Sequence, residues 1–175
     1  MLTACREGIA PRSTRMSKRE ICVLTMLLFG TVEVASAQAG AHVMVAAEDL
    51  EWRPAPAKLP LGAQIARIAG DPSKPGELYV FRAKLPDGFR VPPHWHPEDE
   101  NVTVIQGIMV LGFGERVDSA SMRELPAGSF VTLPKEEPHY NRMEGETVLQ
   151  FHGIGPYDIV FVNPEDNPSR DSDER

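Results

Sequence analysis

Cysteine is nearly missing from this sequence. The 175 residues contain two, Cys5 and Cys22, both within the first 37. The remainder can therefore form neither a disulfide scaffold nor a thiolate metal site, and a cysteine nucleophile is excluded there. Positive charge is scarce as well. Lys plus Arg number 18 against 25 Asp plus Glu, a formal charge of −7 with a pI near 5.2, which argues against a broad basic face for nucleic acid or anionic lipid. No apolar run is long enough to span a bilayer. What is present is a composition for a globular core: 42% hydrophobic residues, with Gly (14) and Pro (16) plentiful but aperiodic, so the chain is neither disordered nor collagen-like. Its length gives room for one domain, two at most. A small molecule or another protein is the expected partner, and nucleic acid is not.

The amino end reads as a leader, 1–37. Within it, 16–37 has the layout of an export signal: Lys18 and Arg19 form a basic start, 21–32 is apolar, and Ala35-Ser36-Ala37 offers small residues for cleavage before Gln38. Met16 is a plausible true start. Ser17-Lys18-Arg19 also resembles a twin-arginine signal with one Arg replaced. The expectation is an exported protein, periplasmic or extracellular, with no stable membrane anchor after signal removal. The first 37 residues hold 5 basic and 3 acidic groups, leaving 13 against 22 and a formal charge of −9 for residues 38–175.

From Gln38 onward the pattern is one of short apolar alternations separated by turn residues, with no long stretch of helical period. This predicts an all-β sandwich or barrel over 38–165, followed by a polar tail at 166–175. The expected strands are 78–85, 102–113, 122–125, 129–133, 147–153 and 158–162. Turns are expected at Gly70-Asp71-Pro72, Pro86-Asp87-Gly88, Pro126-Ala127-Gly128, Glu144-Gly145 and Gly155-Pro156. Residues 51–61 contain Pro54, Pro56 and Pro60; lacking ladder donors, they are excluded from a central strand and are expected to wrap an edge.

Five histidines follow the leader, and three stand out: His94, His96 and His139. Residues two apart in a strand share a face, so His94 and His96 point together while Trp95 points away. Glu100, across the Pro97-Glu98-Asp99 turn, returns to that face from the start of the next strand. Three imidazoles and one carboxylate suit a divalent transition metal such as Fe, Mn, Zn, Ni or Cu, and leave an octahedral ion two open positions. By spacing alone, a His-x-His pair on an acidic surface is more often incidental than ligating; Glu100 and His139 shift that balance.

At this point the sequence resembles the cupins. Their first motif has Gly, five residues, His-x-His, three or four residues, Glu, six residues and Gly; Gly88, His94, His96, Glu100 and Gly107 meet every interval. Their second has Gly, five residues, Pro-x-Gly, two residues, His, three residues and Asn. Gly128, Pro134 and His139 fit it, while Glu136 replaces the Gly and Met143 the Asn, with Asn141 two residues away. The resemblance spans about 77–157. It implies an antiparallel jelly-roll β-barrel, one metal held by His94, His96, Glu100 and His139, and a small-molecule substrate or ligand; homodimers are common in that family.

Such a site supports a dioxygenase-like oxidoreductase in which Glu100 is a ligand or leaves the metal to act as base. The alternative is a non-catalytic module that binds a metal or small ligand, or a sensor. Gln150 and His152, two apart in an expected strand, are candidates to face the pocket; a register slip of one residue would reverse that. Phe81, Phe89, Trp95, Phe130 and Phe151 are expected in the core.

Overall fold

The structure is a computed structural model that describes residues 42–170. The expected export signal and residues 171–175 of the expected tail lie outside the described residues. Among the described residues, nine strands occur in order: β1 (Arg53–Pro54), β2 (Gln64–Ala69), β3 (Leu78–Leu85), β4 (Arg90–Trp95), β5 (Glu100–Phe113), β6 (Arg123–Pro126), β7 (Phe130–Leu133), β8 (His139–Ile154) and β9 (Val160–Phe161). Every pairing is antiparallel. The order runs β1-β2-β3-β8-β4-β9, with β5 beside β8 and with β6 and β7 on the far edge of β5. Among the described residues no helix is long and apolar enough to cross a membrane.

The long strands β5 and β8 organise the rest. Their pairing runs from Asn101↔His152 to Phe113↔His139, interrupted by register shifts around Gln106 and Ile108. Gly107 and Gly145 take φ of 76° and 72° there, a conformation open to glycine at little cost, and the bulges bend strands far longer than the usual five or six residues. The close approach at Gly107 is also restrictive: a Cβ would lie 2.4 Å from Thr147 Oγ1 and 2.7 Å from Glu146 O. The curled sheet encloses one apolar core.

Alternation decides which residues enter that core. In β3, Tyr79, Phe81, Ala83 and Leu85 are buried and their neighbours are more exposed. Directly opposed residues share a face, so Phe81↔Phe151 and Ala83↔Leu149 set the inward side of β8. Val91, Val104, Met109, Leu111, Leu133 and Met143 complete much of the interior.

The structure departs from the sequence expectation in instructive places. β8 begins at His139 rather than 147, because Glu144-Gly145 is a bend within one strand. β4 contains Pro92 and Pro93, which the ladder tolerates through a register shift between Val91 and His94. The Pro93 carbonyl still accepts from Val162 N at 2.9 Å. β2 carries a weak signal, since its buried Ala66 is small. The proline-rich stretch supplies β1 at the outer end of the sheet path.

Candidate metal centre

His94, His96 and His139 converge at one end of the core. His94 and His139 are opposed on β4 and β8, and His96 follows two residues beyond His94. The ligand atoms of the three lie within 4.8 Å of one another, and all three side chains are buried. Glu100, at the first position of β5, is 2% exposed and places Oε2 3.4 Å from His96 Nε2. The structure thus brings together the four residues singled out as ligands.

The backbone fixes which nitrogen each imidazole presents. His94 Nδ1 donates to Pro92 O at 2.7 Å, His96 Nδ1 to Asp158 O at 2.6 Å and His139 Nδ1 to Glu137 O at 3.0 Å. With Nδ1–H engaged, a neutral imidazole keeps its free lone pair on Nε2. Of five buried side-chain polar atoms lacking a hydrogen-bond partner among the described residues, three are His96 Nε2, His139 Nε2 and Glu100 Oε1. Orphaned donors and acceptors of this kind are costly unless a ligand satisfies them. Three nitrogens and a carboxylate fit a borderline divalent transition ion.

Electrostatics favour the same state. Burial, reinforced by His139 and His96, holds His94 well below the usual imidazole range. Burial also lowers His96 to about 4, against the opposing pull of the Asp158 carbonyl, and lowers His139 against the opposing Glu100. The imidazoles are therefore neutral near pH 7, as ligation requires. Burial pushes Glu100 up to about 7, with His139 and the Tyr157 hydroxyl drawing it back. The contact between His96 and Glu100 is consequently not an ion pair: the imidazole is uncharged.

Two loops carrying ligands are stitched together. Glu136 N donates to His96 O at 2.9 Å, and Lys135 N donates to Asp99 Oδ1 at 2.9 Å. Glu136 has a φ of 60°. It thus adopts the left-handed conformation that the motif normally gives to glycine, at a cost of roughly 1–2 kcal/mol for a residue with a Cβ. A third segment adds Tyr157, whose ring stacks on His96 at 5.1 Å between centroids. Sequence reasoning missed Tyr157; it follows a Gly-Pro turn and has no spacing signal of its own.

The centre opens on a cavity of about 40 Å³ lined by Phe81, Leu85, Phe89, Asn141, Leu149 and Tyr157 among others. That is room for about three waters. Leu59 reaches it from outside the barrel, on a loop closed by Ala55 N donating to Ala63 O at 3.0 Å and tied by an ion pair from Lys58 to Asp158.

Gln150 and His152 do not line this cavity. Since Leu149 and Phe151 point inward, the period of two turns Gln150 and His152 to the opposite face. Gln150 there accepts from Arg82 Nε at 3.1 Å, and His152 stacks beside Phe130. Phe130 belongs to that outer face and is 56% exposed, not in the core. Trp95 is half-buried, whereas Phe81, Phe89 and Phe151 combine core and cavity roles.

Comparison with solved structures gives low identity over most of the fold. The polyketide cyclase RemF from Streptomyces resistomycificus matches with a TM-score of 0.60 at 15% identity, covering 76% of this chain and 94% of that one. An acetylacetone dioxygenase from Acinetobacter johnsonii matches at 0.56 and 15%, covering 74% and 83%. An RmlC-like cupin from Shewanella frigidimarina matches at 0.50 and 14%, covering 72% and 96%. At such identities the likeness concerns fold, not activity. No curated protein matches the sequence. The family model described as "Domain of unknown function (DUF4437)" matches residues 44–174. That span takes in every strand and all four converging side chains, so the chain belongs to the DUF4437 family and has the cupin fold.

Proposed function

We propose that this protein is a metal-dependent enzyme acting on a small organic molecule, a dioxygenase-like oxidoreductase. The observation that carries the reading is the cluster of unpartnered His96 Nε2, His139 Nε2 and Glu100 Oε1 beside a largely apolar cavity that His94, His96 and Glu100 line. His94, His96, His139 and Glu100 would hold the ion. When bound, a divalent transition ion supplies Lewis acidity and electron transfer at its open positions. The chain does the rest. The carbonyls of Pro92, Asp158 and Glu137 hold the imidazole orientations, the aromatic and aliphatic lining excludes bulk water, and Glu100 completes the ligand set or acts as base. The acetylacetone dioxygenase with the same fold makes small enolisable ketones a rational starting panel.

The size of the cavity favours a second reading, a non-catalytic module that holds metal or a very small ligand. Two measurements separate them. Elemental analysis of protein purified without chelator or affinity nickel should give about one ion per chain. Oxygen uptake over small enols and diketones should then show multiple turnovers that vanish in His96→Ala. Metal without turnover selects the binding module, and absence of metal after incubation with each ion overturns both.

Export belongs to the same proposal, carried by the sequence of 16–37. An ion acquired outside the cytosol would follow the Irving–Williams order, favouring copper or zinc, unless the protein crosses already folded and loaded.

A further inference from the structure

Among the described residues lining the cavity, one polar side chain serves neither as a ligand nor as a partner to one. Asn141 follows His139 by two residues on β8 and therefore shares its face. It opposes Val91 on β4 and Leu111 on β5, both core residues. It lines the cavity with His94, His96 and Glu100, and its Oδ1 is buried without a hydrogen-bond partner. The other cavity-lining residues apart from the ligands are apolar, except Tyr157, which is hydrogen-bonded to Glu100. A lone unpaired amide oxygen in an apolar wall weakens the fold unless an incoming molecule satisfies it.

We infer that Asn141 is a specificity-determining residue: it selects ligands that carry a hydroxyl or amine donor on an otherwise apolar body, with an oxygen donor directed at the metal. This rests on the metal-centre reading above and narrows its substrate class. A site built to bond a hydroxyl discriminates strongly against an analogue lacking it, because the buried partner is then stranded. The position also accounts for a departure in the second motif. Met143 stands where the motif has Asn, and period two keeps residues 139, 141 and 143 on one face, so the amide lies one step nearer the histidines.

The test compares wild type with Asn141→Leu, a change that removes the orphan while filling similar space. Two probes, 3-hydroxypropionate and butyrate, are titrated calorimetrically into the metal-loaded proteins. Wild type should prefer the hydroxylated probe, and Asn141→Leu should reduce that preference about tenfold or more with metal content unchanged. The metal-free proteins are melted in parallel. Removal of an unpaired buried oxygen should raise Tm by a few degrees, whereas a structural asparagine would lower it. An unchanged preference, or a Tm that falls, overturns the inference. A wild-type chain that takes no metal sinks the metal-centre reading and this inference with it, whereas a metal-loaded chain with an unchanged preference sinks this inference alone.

Discussion

The two motifs that supply the histidines meet the same geometric demand with different residues. The first uses Gly88 in the turn before β4 and Gly107 at the bulge in β5, at φ of 72° and 76°, where left-handed backbone is needed. The second uses Gly128 at 89° but Glu136 at 60°, and still aims His139 at the others. The motif is thus a description of backbone shape, and its consensus residues are the cheapest way to make that shape. Where the cheap residue is missing, surrounding bonds hold the turn: Glu136 N to His96 O, and Glu137 N to Pro134 O at 3.3 Å. Strain at such positions is tolerated when neighbours over-determine the conformation.

If both loops feed one ion, losing a ligand from either should be equivalent. His96→Ala and His139→Ala are each expected to weaken metal affinity by more than about 100-fold, beyond the effect of disturbing an outer partner. Competition with a chromophoric chelator measures this, and a large inequality would break the symmetry. Saturation at a thousand times Kd should stabilise wild type by about 4 kcal/mol, of which a 100-fold weaker variant at the same metal concentration loses about 2.7 kcal/mol.

Acid should act on both loops at once. In the metal-free protein His96, His94 and His139 have lowered folded-state values, so between about pH 6.5 and 4 the unfolded chain binds more protons and stability falls as pH falls. Glu100, raised to about 7, works in the opposite sense: its contribution is present at low pH and lost as pH rises toward 7. Three imidazoles outweigh one carboxylate. Denaturant titrations should therefore show a loss of several kcal/mol between pH 6.5 and 4.5, and a flat profile would contradict the buried neutral histidines.

Two backbone substitutions sharpen the contrast further. Gly107→Ala combines positive φ with contacts of 2.4 and 2.7 Å to Thr147 Oγ1 and Glu146 O, and should cost at least about 3 kcal/mol. Gly88→Ala has nothing within 4 Å of its new Cβ and should cost only the conformational term, about 1 kcal/mol. The smallest effect is expected at Glu136. Replacing it with glycine relieves the strain but loosens the unfolded chain, leaving a net gain of roughly 0.5–1 kcal/mol, visible as a Tm raised by about 2–3 °C.

Sequence carried the first motif well because His-x-His, Glu100 and the flanking glycines encode their roles by interval. It carried β3 well because its alternation is uninterrupted. It failed where one strand changes direction: Gly145 reads as a turn from local chemistry, yet the ladder continues through it. β4 was obscured by Pro92 and Pro93, whose missing donors are absorbed by a bulge that only the neighbouring strands reveal. Gln150 and His152 were attractive as a polar pair, but parity was set by Phe81 and Ala83 across the sheet. Tyr157 reaches the site by packing rather than by spacing, and the carbonyls that orient the imidazoles have no sequence signature at all.

Asp158 ties the centre to distant parts of the chain. Its carbonyl accepts from His96, 62 residues away, and its carboxylate pairs with Lys58, 100 residues away. Contacts of such separation close late, because the loop entropy must be overcome before they are rewarded. The four-residue set is therefore a product of nearly finished folding, not a nucleus for it. A nascent chain would offer an ion only scattered histidines, so an ion held by these four residues would have to be taken up at the last stage of maturation, in whatever compartment that stage takes place.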